Sequence, residues 1–240
     1  MRESNKCVIC LKNFNNSIKD DSKTEEHVFP KSWYPESTPN DLEKWKVPSC
    51  RKCNNDYSLY EQNLLIRLGL GLFKKNEKCS GIIEKARRSI DPTYAKNERD
   101  RQKRLKCREE VIRDLSSSDK ISSKGILPNF GADEKIKYKE YPILLIRADY
   151  LKKFAIKIVR GMTFLFDGFL IEDDYEINHF FIKDEEQKPF MEIIDKFGST
   201  EHRGPGIVVG RAVVFDDHKS SFYRIDIWGK LKIFATVRRR

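Results

Sequence analysis

Two short cysteine pairs, Cys7-x-x-Cys10 and Cys50-x-x-Cys53, constrain this chain more than any other feature. Each C-x-x-C spacing lets two thiolates face inward from one tight loop, and two such loops complete a tetrahedral four-sulfur site for zinc. Zinc there is a structural clamp. It draws the two pairs together and closes the segment between them into a compact unit. That segment carries Glu25-Glu26-His27, and Asn54-Asn55 follows the last cysteine directly. Cys79 and Cys107 stand apart from the pairs and read as ordinary thiols.

The compartment decides whether such pairs mean metal or disulfide. The start of the chain, Met1-Arg-Glu-Ser-Asn-Lys, has no apolar stretch before Cys7, which argues against a secretory signal. No run approaches the roughly 18 apolar residues of a membrane span. The expected location is therefore the reducing cytoplasm, where paired C-x-x-C motifs favour metal. The net charge of +10 raises the local concentration of polyanions, so DNA is the first partner to consider and RNA the second. A solvated basic surface with no particular partner explains the charge equally well.

The organisation reads as an α+β protein in three parts. Residues 1–75 hold the cysteine pairs, a short strand from Glu26 to Phe29 stopped by Pro30, a proline-rich loop from Lys31 to Lys46, and a helix from Asn54. In that helix Tyr57, Tyr60, Leu64, Leu65 and Leu68 recur at spacings of three and four, and Gly69 and Gly71 end it. Residues 76–135 are a basic helical linker, broken at Asp91-Pro92 and leaving through Ser116-Ser117-Ser118. Its charges read first as a solvated helix laced with i,i+4 pairs and second as a phosphate-contacting surface.

Residues 136–240 are expected to form an α+β domain. A strand at Tyr141–Arg147, a helix at Tyr150–Val159 closed by Gly161, a strand at Tyr175–Lys183 and a helix at Glu185–Phe197 precede three antiparallel strands. Those strands are Ile207–Phe215, Ser221–Trp228 and Leu231–Val237, with helices on one face of the sheet. Arg238-Arg239-Arg240 read as a frayed basic tail, and His179, His202 and His218 as core, loop and turn residues. This part is also a candidate surface for a homodimer or a protein partner.

Hydrolysis of a phosphodiester needs a group that takes a proton from the attacking water, which a neutral histidine does near neutral pH. It also needs positive charge where negative charge grows, commonly a divalent cation on hard oxygen ligands. Four sulfurs suit a closed zinc site. His27, Glu26, Asn54, Asn55 and Glu61 are the nitrogen and oxygen groups that zinc leaves over. Positions 54, 58 and 61 share one helical face, so Ser58 and Glu61 lie on the side of Asn54. Glu61 is thus either a further ligand or orienting group, or a surface glutamate. Asn54 is also in position to be a simple helix N-cap.

Cys7-x-x-Cys10, Glu26-His27-Val-Phe-Pro30 and Val47-Pro-Ser-Cys50-Arg-Lys-Cys53-Asn54-Asn55 together resemble the zinc-containing branch of the HNH endonucleases. The resemblance covers about residues 5 to 68. It implies a two-stranded ribbon and a helix around one catalytic metal, with magnesium or a similar divalent ion. It implies His27 as general base, Glu26 as first metal ligand and Asn54 as second, and cleavage to 5′-phosphate and 3′-hydroxyl ends. The family's middle asparagine has no clean match; Asn40 and Asp41 are the nearest residues. Restriction or phage defence is the setting it suggests. The reading from another class is a non-catalytic zinc-ribbon module that binds nucleic acid through its basic surface.

Overall fold

The computed structural model describes residues 3–72, 77–116, 127, 128, 130 and 142–240. Among these residues the protein is a mixed α+β structure with five α-helices and three antiparallel sheets. The first sheet is a ribbon of β1 (Lys23–His27) and β2 (Lys46–Cys50), in register from Lys23 opposite Cys50 to His27 opposite Lys46. The strand expected at Glu26–Phe29 therefore starts earlier and ends at His27. Pro30 then leads into a 3-10 turn at Lys31–Trp33. Helix α1 (Arg51–Leu70) follows β2 without a loop and is closed by Gly71. Cys50 is its N-cap, with the sulfur accepting the Cys53 N–H at 3.4 Å, so the helix opens three residues before Asn54 and Asn54 is not a cap.

The basic stretch divides at Asp91-Pro92 into α2 (Ile82–Ile90) and α3 (Glu98–Arg113). Val111 is the buried residue of α3; the Asp100–Arg104 pair at 3.1 Å is partly buried where Arg104 donates to the Arg88 carbonyl of α2, whereas the Glu98–Arg101 pair at 3.4 Å lies in solvent. That is the solvated-helix pattern. Ser117, Ser118 and residues 131–141, including the start of the expected Tyr141 strand, lie outside the described residues. The strand seen there is short: β4 (Ile143–Leu144) pairs with β3 (Leu115–Ser116).

Helix α4 (Ala148–Asp167) runs straight past Gly161 and stops at Gly168, whose φ of 78° suits a residue without a side chain. Gly161 serves close approach instead. A Cβ there would sit 2.8 Å from Val28 Cγ2. The main sheet follows, with β5 (Tyr175–Phe180), β6 (Gly198–His202), β7 (Ile207–Val214), β8 (Asp217–Ile227) and β9 (Leu231–Arg239) in the order β5-β9-β8-β7-β6. Helix α5 (Lys188–Phe197) joins β5 to β6. The helices cover both faces of this sheet, not one. Phe222 of β8 stacks on Phe190 of α5 at 5.7 Å, whereas the neighbouring Tyr223, on the opposite face, hydrogen-bonds Thr163 of α4 at 2.7 Å. Arg238 and Arg239 are not frayed either: they pair with Glu176 and Tyr175 in β5, and the Arg240 N–H reaches the Asp174 carbonyl at 2.9 Å.

One hydrophobic core runs from Val8 through Phe154 to Val237, across the boundaries read near residues 75 and 136. At its centre Phe154 lies tilted against Trp33 at 4.4 Å and Trp33 stacks on Trp228 at 5.1 Å. The Trp228 indole N–H donates to the Trp33 carbonyl at 2.7 Å. This core seats α4 against the ribbon and α1, which is what positions the groups described next.

Candidate functional site

The sulfurs of Cys7, Cys10, Cys50 and Cys53 all lie within 4.8 Å of one another, a group that could hold a metal ion such as zinc. Each pair is shaped by its own backbone. The Cys10 N–H points at Cys7 Sγ (3.5 Å) and the Cys53 N–H at Cys50 Sγ (3.4 Å). Leu11 takes a φ of 65° to finish the first loop, a conformation unfavourable for a residue with a branched side chain. The pKa of Cys7 is lowered to about 4, chiefly by its interaction with the Cys53 thiol and against the opposing effect of burial. Burial pushes Cys10 up to about 11, and Cys53 is raised by its bond to Cys7 and then by burial. The close sulfurs thus push one another's ionisation in opposite directions. A divalent cation at the centre removes that conflict, so the donor set fits zinc.

His27 ends β1, half-buried, with Nδ1 enclosed and without a hydrogen-bond partner. Burial, followed by Lys31, Lys46, Lys157 and Lys44, pushes its pKa from 6.5 down to about 4, so the imidazole is neutral at neutral pH. Lys46 is its cross-strand partner. No asparagine among the described residues reaches the His27 Nδ1. Asn40 and Asp41 are exposed on the loop before β2.

Glu26 goes the other way. Neighbours in a strand project to opposite faces, and Glu26 turns into the interior, where its carboxylate pairs with the Lys157 ammonium of α4. The same ammonium pairs with Glu61 of α1. The three side chains are 8%, 0% and 6% exposed for Glu26, Lys157 and Glu61. Burial raises the pKa of Glu26 against the opposing pull of Lys157, and raises Glu61 from 4.5 to about 7 in the same way. Removing one partner of a buried pair costs about 3–5 kcal/mol, although the intact pair adds little net stability. Asn54, on the first turn of α1, donates its amide to the Glu25 carbonyl at 3.0 Å and to Thr24 Oγ1 at 3.4 Å, tying the helix to β1.

The expected residues are therefore distributed as follows. The four cysteines meet. Glu26 and Glu61 meet, but through Lys157. His27 stands apart from them, among lysines. The residues expected to hold a divalent cation do not fit one in this arrangement, because the Glu26 carboxylate is already neutralised in a closed interior. Glu61 is not the surface glutamate of one sequence reading. Lys157 was missed, yet a signal existed: Phe154, Lys157, Ile158 and Gly161 share one face of α4, so a lysine stands on an apolar stripe. His179, His202 and His218 lie scattered on β5, β6 and β8; His202 and His218 stand in strands and not in the loop and turn read from the sequence, and His179 is half-buried and not a core residue.

The fold and site thus define a mixed α+β protein with a four-cysteine group that could hold a metal ion at the foot of a ribbon. No protein-family model matches the chain, and comparison with curated proteins and with solved structures returns no significant match. Among the described residues no helix is long and apolar enough to cross a membrane.

Proposed function

We propose that the chain is an HNH-type endonuclease that hydrolyses DNA phosphodiester bonds, with His27 as the general base. The observation that carries this reading is the state of His27: neutral, with an enclosed Nδ1 and with Lys31, Lys44 and Lys46 around it, on a ribbon clamped by the four cysteines. A phosphate is drawn to such a rim, and its negative charge would offset the lysines that, after burial, now hold the His27 pKa at about 4, restoring the basicity that taking a proton from water requires. A ribbon leading straight into a helix is the arrangement the resemblance implies for this segment. Zinc in the cysteine group has a structural role. A catalytic magnesium-type ion on Glu26 and Asn54 belongs to this reading only where Lys157 leaves Glu26. Restriction or phage defence remains the biological setting we favour.

The test is cleavage of supercoiled plasmid by zinc-loaded protein with added magnesium or manganese. We expect nicking that falls about a hundredfold or more in His27→Ala, the typical worth of a general base, while zinc content and the melting curve stay unchanged. A variant that cuts at the parent rate removes His27 from the chemistry.

One observation favours a second reading, a non-catalytic zinc module that binds nucleic acid. The pairing of Glu26 with Lys157 takes away the ligand such an enzyme is expected to use. DNA binding with no cleavage under any divalent ion would decide for the module.

A further inference from the structure

Two carboxylates from the ribbon and α1 converge on one ammonium from α4. Lys157 Nζ donates to Glu26 Oε1 and to Glu61 Oε1, in an interior closed to solvent. This is the place where the HNH reading, on which the present inference rests, puts a divalent ion. An ammonium and a divalent ion meet the same need there, since each offsets buried negative charge. They differ in how they arrive. Magnesium gives up its water reluctantly and requires about six oxygen ligands in a near-ideal octahedron. The lysine is tethered to a packed helix, and its aliphatic stem lies in the core. It brings three donors and asks for no octahedron.

We propose that Lys157 is a built-in cation that replaces the expected divalent ion at Glu26, so that the native chain takes up no divalent ion at that position. The positive charge of the site then comes from a helix of the C-terminal half, more than a hundred residues away in sequence from the ribbon. What opposes uptake is that both carboxylates are already held by Lys157 in a nearly dry interior, which meets the surface only where Glu61 borders a cleft with Ser32, Ser58 and Ser89.

The probe is manganese alone, titrated into the zinc-loaded full chain and followed by electron paramagnetic resonance of the free ion. We expect no uptake at roughly millimolar manganese by the native chain. Lys157→Met keeps the side-chain length and removes the charge, and should bind manganese at least about tenfold more tightly. Adding Glu26→Gln to that variant should abolish the gain. Manganese uptake by the native chain that is lost in Glu26→Gln alone would overturn the proposal, and so would a Lys157→Met chain that binds no better than the parent. If Lys157→Met does not fold by itself, its melting with and without manganese is the readout. Rescue of folding supports the built-in cation, and absence of rescue overturns it. None of these measurements uses cleavage, so a failed plasmid assay sinks the nuclease reading without touching this result, and the reverse also holds.

Discussion

Charging His27 would strand a cation in a half-dry site already rimmed by lysines, and ionising Glu61 places a second anion beside Glu26. The two residues therefore pull stability in opposite directions with pH. For His27 the native pKa is about 4 against 6.5 in the unfolded chain, so as pH falls through that window the unfolded chain binds a proton the native one excludes, and stability is lost. For Glu61 the native pKa is about 7 against 4.5, so as pH rises through that window the native chain keeps a proton the unfolded one has released, and stability is again lost. The two contributions oppose each other where the windows overlap, between the unfolded values of 4.5 and 6.5. We expect His27→Gln to gain on the parent as pH drops from 7 to 5, and Glu61→Gln to gain on it as pH climbs from 5 to 8, in urea unfolding at each pH. A pH-independent difference for either variant would contradict its assigned protonation. At this scale the cysteines were fully legible, because their spacing is local chemistry. The environment of Glu26 was not, since its partner comes from another helix. The histidine and its lysines were half legible: Lys46 follows from pairing the ribbon, whereas the neutral state follows from burial.

The elements show where local rules yield to packing. Gly161 looks like a helix stop, and in isolation a glycine there costs about 1 kcal/mol relative to alanine. Helix α4 continues through it for six more residues because Val28 needs the space. Gly161→Ala should therefore destabilise the protein by about 1–3 kcal/mol through overpacking, against the trend of helix propensity. The variant Val28→Ala should lose stability by itself, and the double variant should recover part of the alanine penalty, a coupling that chemical denaturation measures. Additive losses would show that the two residues do not meet. The three strands β7, β8 and β9 were legible because one side of each is apolar and turns separate them. Strand β6 was not: Gly198-Ser-Thr-Glu-His is polar, lies at the sheet edge, and is held by backbone pairing with β7. The choice between helices on one face and on both is also invisible locally, since Phe222 and Tyr223 are both aromatic and only their partners tell the faces apart.

At the scale of the molecule, α4 does what neither half can do alone. It packs Phe154 on Trp33 and Phe29 of the ribbon loop, offers Gly161 to Val28, sends Lys157 to Glu26 and Glu61, and donates from Arg160 to the Ile9 carbonyl inside the first cysteine loop. A chain cut near residue 75 would expose Trp33, Phe29 and Val28 and leave two carboxylates without their cation. Four zinc–sulfur bonds close a loop but do not supply that missing core. We therefore expect a fragment of residues 1–75 to bind zinc without reaching a fixed tertiary structure, seen as poor dispersion in its proton spectrum. We expect the full chain to unfold in one step. Two of its three tryptophans, Trp33 and Trp228, face each other across the seam between the halves, so fluorescence reports loss of that seam while far-UV circular dichroism reports loss of helix. Coincident urea transitions from the two probes, both shifted downward when Cys50→Ser weakens the metal site, follow from a shared core. Separate transitions, with the fluorescence change preceding the loss of helix, would mean that the halves hold together by themselves and that α4 merely rests between them.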